Sequence, residues 1–336
     1  MSNSSLLSVE GLSIGFATEE GPIRVVEDVS FTVAGGETVG LVGESGCGKS
    51  VTAQTIMRLL PSPPSRIEAG RIGFGATDLA QASEAQMRKT RGNEIAMIFQ
   101  EPMTSLNPTM TIGEQIGEAL LLHRGLRASE ARPKVMDMLT QVGIGRPEKR
   151  FVQYPHELSG GLRQRVMIAM ALICNPKLLI ADEPTTALDV TIQGQILDLI
   201  ADLVAERGMS MILISHDLGV IAENVQRMMV MYGGTVVESG PTDEVFRRMG
   251  HPYTQGLFRA RPKLGARKGT RLTTIAGTVP ELADLPAGCT FSERCPLVID
   301  QCRTALPPMV EVGAGHGVRC VRTDVSMAEN VGALSA

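Results

Sequence analysis

The first forty residues alternate apolar and polar side chains, with Leu7, Val9 and Leu12 followed by Val29 and Phe31. This period of two, interrupted by glycines, predicts short antiparallel strands and hairpins. Four later apolar segments have the length and composition of buried strands: 38–42, 95–99, 178–181 and 211–214. Because helical segments separate these strands, the pattern predicts an α/β fold with a parallel sheet core beside an antiparallel β subdomain.

Two stretches depart from this alternation. Residues 101 to about 160 are rich in Met and Leu with few strand signals, which predicts an inserted helical subdomain. Beyond Gly250 the pattern loosens into Pro, Gly, Arg and cysteine, which predicts a C-terminal extension with a small core. The expected domains are therefore 1–250, containing the helical subdomain, and 251–336.

Composition narrows the possible functions. With 336 residues, 43% of them hydrophobic, the chain is long enough for roughly two domains with a large core. A net charge of −4, 3% aromatic residues and no Trp argue against a nucleic-acid-binding surface. The chain shows neither a secretory signal at its start nor an apolar run of the length that spans a bilayer, so a cytosolic location is expected.

A glycine-rich segment lies between the strand at 38–42 and the helix that is predicted from Lys49 to Pro61. Its sequence, GESGCGKS, has the spacing of a phosphate-binding P-loop. Backbone N–H groups of such a loop and the N-terminus of the next helix bind phosphate oxygens. We predict that Lys49 contacts the β- and γ-phosphates of a nucleotide and that the Ser50 hydroxyl binds Mg²⁺. A P-loop alone fits kinases, GTPases, helicases and transporters. The other nucleotide-binding positions of the loop are Gly43, Ser45, Gly46, Cys47 and Gly48.

An apolar strand at 178–181 ends in two carboxylates, Asp182 and Glu183. Asp182 is placed to hold Mg²⁺, and Glu183 can act as the general base that polarises the attacking water. Two acids at a strand exit are usually unremarkable, but a P-loop in the same chain favours the catalytic interpretation.

The segment LSGGLRQR, which starts at Leu158, resembles the signature sequence of the ABC ATPase family. Ser159, Gly160 and Gly161 open a predicted helix, with Ser159 at its cap and an apolar stripe at Val166, Ala169, Met170 and Ile173. In that family this turn binds the γ-phosphate of ATP held by the partner subunit, which implies a dimer with two ATPs at its interface. The fifth signature position, often Gln in the family, is Leu162 here.

Other positions match family motifs in chain order. Gln100 resembles the Q-loop glutamine that senses Mg²⁺ and water, Asp189 of Ala187-Leu188-Asp189 resembles the D-loop aspartate, and His216 resembles the switch histidine at the γ-phosphate. Phe16 stands about where the family places an aromatic residue against adenine. A core-facing Phe in a strand is an equally good interpretation of Phe16.

Two further segments resemble the oligopeptide/dipeptide permease ATPases within this family. They are FQEPMTSLNP at 99–108 and His-Pro-Tyr-Thr at 251–254. The resemblance covers about 7–320 and implies a peptide importer, working at the cytoplasmic face of the membrane. It implies two transmembrane permease subunits, a second related ATPase in a heterodimer, and an extracytoplasmic binding protein. Nickel chelates and glutathione are alternative substrates in that subfamily.

Four cysteines are concentrated near the end of the chain: Cys289, Cys295, Cys302 and Cys320. In the permease subfamily similar cysteines can hold a 4Fe–4S cluster. Four thiolates suit iron–sulfur or Zn²⁺, although no Cys-x-x-Cys pair is present, and empty thiols remain a third possibility. Cys47 and Cys174 are interpreted as packing residues.

Three other functions compete with an importer ATPase. An ABC protein of DNA repair or translation would carry two ATPase units, coiled coils or basic surfaces, and the sequence shows none of these. A phosphotransferase using the P-loop does not explain the Ser-Gly-Gly turn or His216. An iron–sulfur redox protein with a regulatory ATPase conflicts with the late position of the cysteines.

Overall fold

The computed structural model describes residues 5–101, 105–186, 188–260 and 274–327. These residues divide into two compact units. The first contains Val33–Thr38 and Gln81–Ile214, and the second contains Leu7–Thr32, Val39–Ala80 and the chain from Ser215 onward.

In chain order, the strands are β1 (Ser5–Thr18), β2 (Gly21–Ala34), β3 (Thr38–Val42), β4 (Ser65–Phe74), β5 (Thr77–Asp78), β6 (Ile95–Ile98), β7 (Leu178–Asp182), β8 (Ser210–Ser215), β9 (Arg227–Tyr232), β10 (Thr235–Pro241), β11 (Val310–Gly313) and β12 (His316–Val318). The helices are α1 (Lys49–Ile56), α2 (Glu84–Thr90), α3 (Ile112–Arg124), α4 (Ala128–Gln141), α5 (Pro147–Phe151), α6 (Gly160–Leu172), α7 (Val190–Glu206), α8 (Leu218–Asn224), α9 (Thr242–Arg247) and α10 (Pro252–Arg259).

In the first unit, β6, β7 and β8 are parallel, in the spatial order β6-β7-β8. Every residue of these strands is buried, as expected for parallel strands that are covered on both faces. Helices α3, α4 and α5 lie in the stretch predicted to be a helical subdomain. Thr111 caps α3 through a reciprocal pair of hydrogen bonds with Glu114, which fixes where that helix begins.

The second unit contains the antiparallel sheet, in the order β2-β1-β4-β5. Apolar side chains that alternate along β1 and β2 form its buried face, including Leu7, Val9, Val29 and Phe31. The prediction of antiparallel strands in this part of the chain is confirmed. The prediction of short strands was wrong, because β1 and β2 each continue for 14 residues.

A second set of strands in this unit has the order β3-β9-β10-β12-β11. β3 and β9 are parallel, whereas β10 pairs antiparallel with both β9 and β12. The hairpin β11–β12 comes from the predicted C-terminal extension. The extension thus continues the sheet that carries the P-loop strand β3.

The apolar stripe predicted for the signature helix is only a part of its buried surface, because Val166, Ala169 and Ile173 are buried together with residues on other sides. The signature helix α6 has buried residues on most of its sides, including Gln164, Met167, Ile168 and Leu172, while Met170 is half-buried. A single apolar stripe would face one neighbour, whereas α6 packs against both β6 and other helices.

Candidate nucleotide-binding site

The P-loop follows the buried strand β3 and leads directly into α1. Gly43 is required by space, because a Cβ at this position would lie 2.2 Å from the carbonyl oxygen of Met231. Gly48 is required by conformation, because it caps α1 with a left-handed backbone at φ 101°. Both glycines let the backbone turn tightly at the N-terminus of a helix, where an anion binds.

Lys49, the first residue of α1, is 5% exposed. Its ammonium group donates hydrogen bonds to the carbonyl oxygens of Gly43 (2.7 Å) and Glu44 (2.9 Å). The positively charged ammonium group of Lys49 is therefore fixed by two backbone carbonyl oxygens of the loop. Cys47 is buried beside it, and burial raises the pKa of the Cys47 thiol. This agrees with the interpretation of Cys47 as a packing residue that contributes its backbone to the loop.

Phe16 lies with P-loop residues around one open pocket of the second unit. The half-buried Phe16 side chain lines this pocket together with Ser45, Gly46 and Cys47. The segment 279–283 of the C-terminal extension lines the same pocket. This position favours the interpretation of Phe16 as a base platform over that of a core residue.

Gln100 and Glu183 are brought together at one edge of the parallel strands of the first unit. Each residue follows a strand, β6 or β7, and the carboxyl ends of parallel neighbours meet at the same edge. Glu183 accepts hydrogen bonds at Oε2 from Gln100 Nε2 (3.2 Å) and from Thr186 Oγ1 (2.9 Å). Asp182, the last residue of β7, is 3% exposed.

The Glu183 backbone adopts a left-handed conformation, with φ at 45°. Non-glycine residues rarely do so, and such strain concentrates at functional sites. The amide of Glu183 donates to the Ile214 carbonyl oxygen (3.0 Å), which holds this turn against β8. The carboxylate is thus directed by fixed backbone as well as by its side-chain partners.

Ser159 caps α6, as predicted, although its side chain makes no capping hydrogen bond. The helix then begins with Gly160 and Gly161. A Cβ on Gly161 would lie 3.3 Å from a methyl group of Ile192, so a larger residue would press on α7. Gln164, one turn further on, donates to the Pro184 carbonyl oxygen (2.6 Å). The sequence did not single out this bond, which joins the signature helix to the turn beside Glu183.

Asp189 caps α7, its carboxylate accepting a hydrogen bond from the Ile192 amide (3.0 Å). Ala187 of the predicted D-loop lies outside the described residues, as do residues 102–104 of the first permease-like segment, 99–108. His216 is exposed and follows β8. The next residue, Asp217, caps α8 through the Gly219 amide (2.6 Å).

The four C-terminal cysteines line one small cavity in the second unit. Cys289 and Cys302 are buried, and the Cys289 amide donates to the Cys302 carbonyl oxygen (2.7 Å). Burial raises the pKa of Cys289 and of Cys295 to about 11. In the described parts of the chain, no three His, Cys, Asp or Glu side chains are grouped closely enough to hold a single metal ion.

Comparison with known proteins identifies the family. The profile of the family described as "ABC transporter" matches residues 26–186, and that described as "Oligopeptide/dipeptide transporter, C-terminal region" matches residues 237–302. A putative peptide import ATP-binding protein of Brucella ovis is 55% identical over 96% of this chain and 98% of its own length. The chain belongs to the ABC transporter ATPases.

Other similar proteins support the same family assignment for this ABC ATPase. The dipeptide transport ATP-binding protein of Escherichia coli is 48% identical over 94% of this chain and 96% of its own length. A solved ATP-binding cassette, a dimer in a post-hydrolysis state with ADP and phosphate, has a TM-score of 0.63 and 26% identity. That match covers 70% of this chain and 98% of the solved one. Across the described residues, no helix is both long and apolar enough to cross a membrane.

Proposed function

We propose that this ABC ATPase powers the import of di- or oligopeptides across the cytoplasmic membrane. The observation that carries the proposal is the near full-length similarity to proteins named for peptide import, together with the match of residues 237–302 to the peptide-transporter C-terminal region. The chain acts at the cytoplasmic face, bound to two permease subunits. A second, related ATPase completes the nucleotide-binding dimer, and an extracytoplasmic protein delivers the substrate.

The proposed reaction is hydrolysis of ATP to ADP and phosphate. Lys49 binds the β- and γ-phosphates, and Glu183 takes a proton from the water that attacks the γ-phosphorus. His216 stabilises charge on the γ-phosphate. Ser159, Gly160 and Gly161 bind the γ-phosphate of the ATP held by the partner ATPase, and Asp189 communicates across the dimer. Phe16 stacks on adenine.

Oxygen donors support a magnesium site. The hydroxyl of Ser50, the amide oxygen of Gln100 and the buried carboxylate of Asp182 are groups that Mg²⁺ prefers. A Mg²⁺ ion held by these residues would supply positive charge that neutralises the phosphate oxygens.

The decisive variant for this mechanism is Glu183→Gln. Glutamine keeps the shape of the side chain and an oxygen for the bonds from Gln100 and Thr186, but it is a far weaker base. Hydrolysis by the assembled transporter should fall by roughly 10²- to 10⁴-fold, with little change in the Kd for ATP. The exposed Glu206 provides the matched control Glu206→Gln. Normal hydrolysis by Glu183→Gln would remove Glu183 from its role as base.

The substrate class is tested by uptake with the reconstituted complex. Labelled dipeptides, longer peptides, glutathione and a nickel chelate are offered in parallel, with Glu183→Gln as the inactive reference. Peptide uptake that needs active ATPase supports the proposal. Uptake of only glutathione or the nickel chelate would replace peptide import by the corresponding alternative.

We also propose that Cys289, Cys295, Cys302 and Cys320 hold a 4Fe–4S cluster. The support is that these four thiols line a single cavity. Four thiolates are the ligand set by which proteins hold a 4Fe–4S cluster. When bound, the cluster would crosslink the extension. Anaerobic isolation with iron, sulfide and zinc analysis tests this: four irons per chain support it, whereas zinc or no metal refutes it.

A further inference from the structure

Glu44, the second residue of the P-loop, is held at three separate points. Its amide donates to the hydroxyl oxygen of Tyr253 (2.8 Å), and its carbonyl oxygen accepts from the Lys49 ammonium group (2.9 Å). Its carboxylate forms a two-point pair with Arg294, from Nη1 to Oε2 (2.7 Å) and from Nη2 to Oε1 (3.3 Å). Two of the three partners, Tyr253 and Arg294, come from beyond residue 250.

Arg294 is itself rigidly supported. Its side chain is only 5% exposed, and its Nε donates to the Ala276 carbonyl oxygen (3.0 Å). The guanidinium group lies near the rings of Tyr232 (5.8 Å) and Phe291 (6.0 Å). A buried Arg with this many partners loses little freedom when it binds a carboxylate, so it fixes the position of Glu44.

Tyr253 belongs to the His-Pro-Tyr-Thr segment, for which the nucleotide motifs alone suggest no role. Its ring is fully buried and packs against Tyr232 (4.6 Å between centroids) and Phe291 (5.3 Å). These three rings and Arg294 form one aromatic cluster, which contacts the P-loop through Glu44. The hydroxyl of Tyr253 is therefore presented to the loop by a rigid surface.

We propose that Tyr253 and Arg294 are positioning residues for ATP binding, which act on the phosphate-binding loop through Glu44. Arg294 also compensates the negative charge that Glu44 places beside a triphosphate. The C-terminal extension is thus a part of the nucleotide site of its own chain. This inference deepens the proposed function and rests on the P-loop being the ATP site.

The test measures the Kd for ATP by calorimetry on the full-length chain, and KM and kcat on the assembled transporter. Tyr253→Phe removes only the hydroxyl acceptor and should raise the Kd roughly threefold to tenfold. Arg294→Met leaves the Glu44 carboxylate uncompensated and should raise the Kd on the order of tenfold. Arg294→Lys, which keeps the charge, should restore part of the affinity. In each case KM should rise with little change in kcat.

A double variant separates positioning from simple loss of structure. If Arg294 acts through Glu44, Glu44→Gln should recover most of the affinity lost in Arg294→Met, because the carboxylate that repels ATP is gone. Additive effects of these two changes would refute the proposal, and so would a wild-type Kd in both Tyr253→Phe and Arg294→Met. The exposed Arg303 supplies the control Arg303→Met. Failure of the wild-type chain to bind ATP would instead refute the proposed function.

Discussion

Glu238 accepts hydrogen bonds from the backbone immediately before α10, the helix that carries Tyr253. This residue of β10 has no exposed surface. Its Oε1 accepts from the Gly250 amide (2.7 Å) and is paired with His316 Nε2 (2.8 Å), while Oε2 accepts from the His251 amide (3.0 Å). The substitution Glu238→Gln changes one oxygen of this carboxylate to an NH₂ group. It should therefore loosen the start of α10.

The size of the effect follows from the number of donors. Glutamine offers a single oxygen, so whichever way its amide turns, an NH₂ group faces a buried backbone N–H of Gly250 or His251. Leaving one such donor without an acceptor costs about 1–3 kcal/mol, and losing the charge on the remaining bonds costs about 1 kcal/mol more. The sum, about 2–4 kcal/mol, is a large part of the 5–15 kcal/mol typical of a folded protein.

Hydrogen–deuterium exchange with mass spectrometry measures this locally. The peptide covering 249–256 should exchange roughly 30- to 700-fold faster in Glu238→Gln, the factor that corresponds to this free energy. Glu311→Gln is the control, since Glu311 is exposed and accepts one bond from the Gly315 amide (3.1 Å) in the neighbouring hairpin. Exchange of 249–256 at the wild-type rate would show that the carboxylate does not hold the helix start.

Two further predictions concern the nucleotide pocket. Phe16→Ala removes the aromatic surface beside the P-loop and should raise the Kd for ATP, measured by calorimetry, roughly fivefold to a hundredfold. The control Phe16→Tyr keeps an aromatic ring and should bind ATP normally. Equal affinity in both variants would exclude stacking of adenine on Phe16. Cys47 is 2% exposed, and burial raises its thiol pKa, so little reactive thiolate forms below pH 9. Peptide mapping after maleimide treatment at pH 7.5 should find Cys47 unlabelled until the protein is denatured, and rapid labelling of the folded chain would contradict this.

Local features of the fold could be predicted from the sequence because they depend on residues that are neighbours in the chain. A strand followed by GESGCGKS and a helix places the phosphate loop through backbone geometry alone, and the structure has β3, the loop and α1 in that order. The same is true of Ser159, which caps α6, and of the alternation that builds the antiparallel sheet. The roles of these residues in binding and hydrolysis stay predictions.

Features set by distant partners could not be read in this way. Nothing near Glu183 indicates that its carboxylate meets Gln100, 83 residues earlier in the chain. The hydrophobic period also could not show that α6 is buried on most sides, because burial depends on how many neighbours pack against a helix. The length of β1 was underestimated, since Gly11, which interrupts the alternation, lies within that strand in the folded chain.

The sequence by itself determined that this protein is an ABC ATPase, because the P-loop, the acidic strand end and the signature turn are short motifs whose chemistry depends on adjacent residues. Tertiary structure decided where the C-terminal extension makes its contacts. Tyr253 and Arg294 reach Glu44 across 209 and 250 residues of chain, and β12 pairs with β10. Such contacts arise only when chain folding brings distant buried groups together, where each polar group must find a partner.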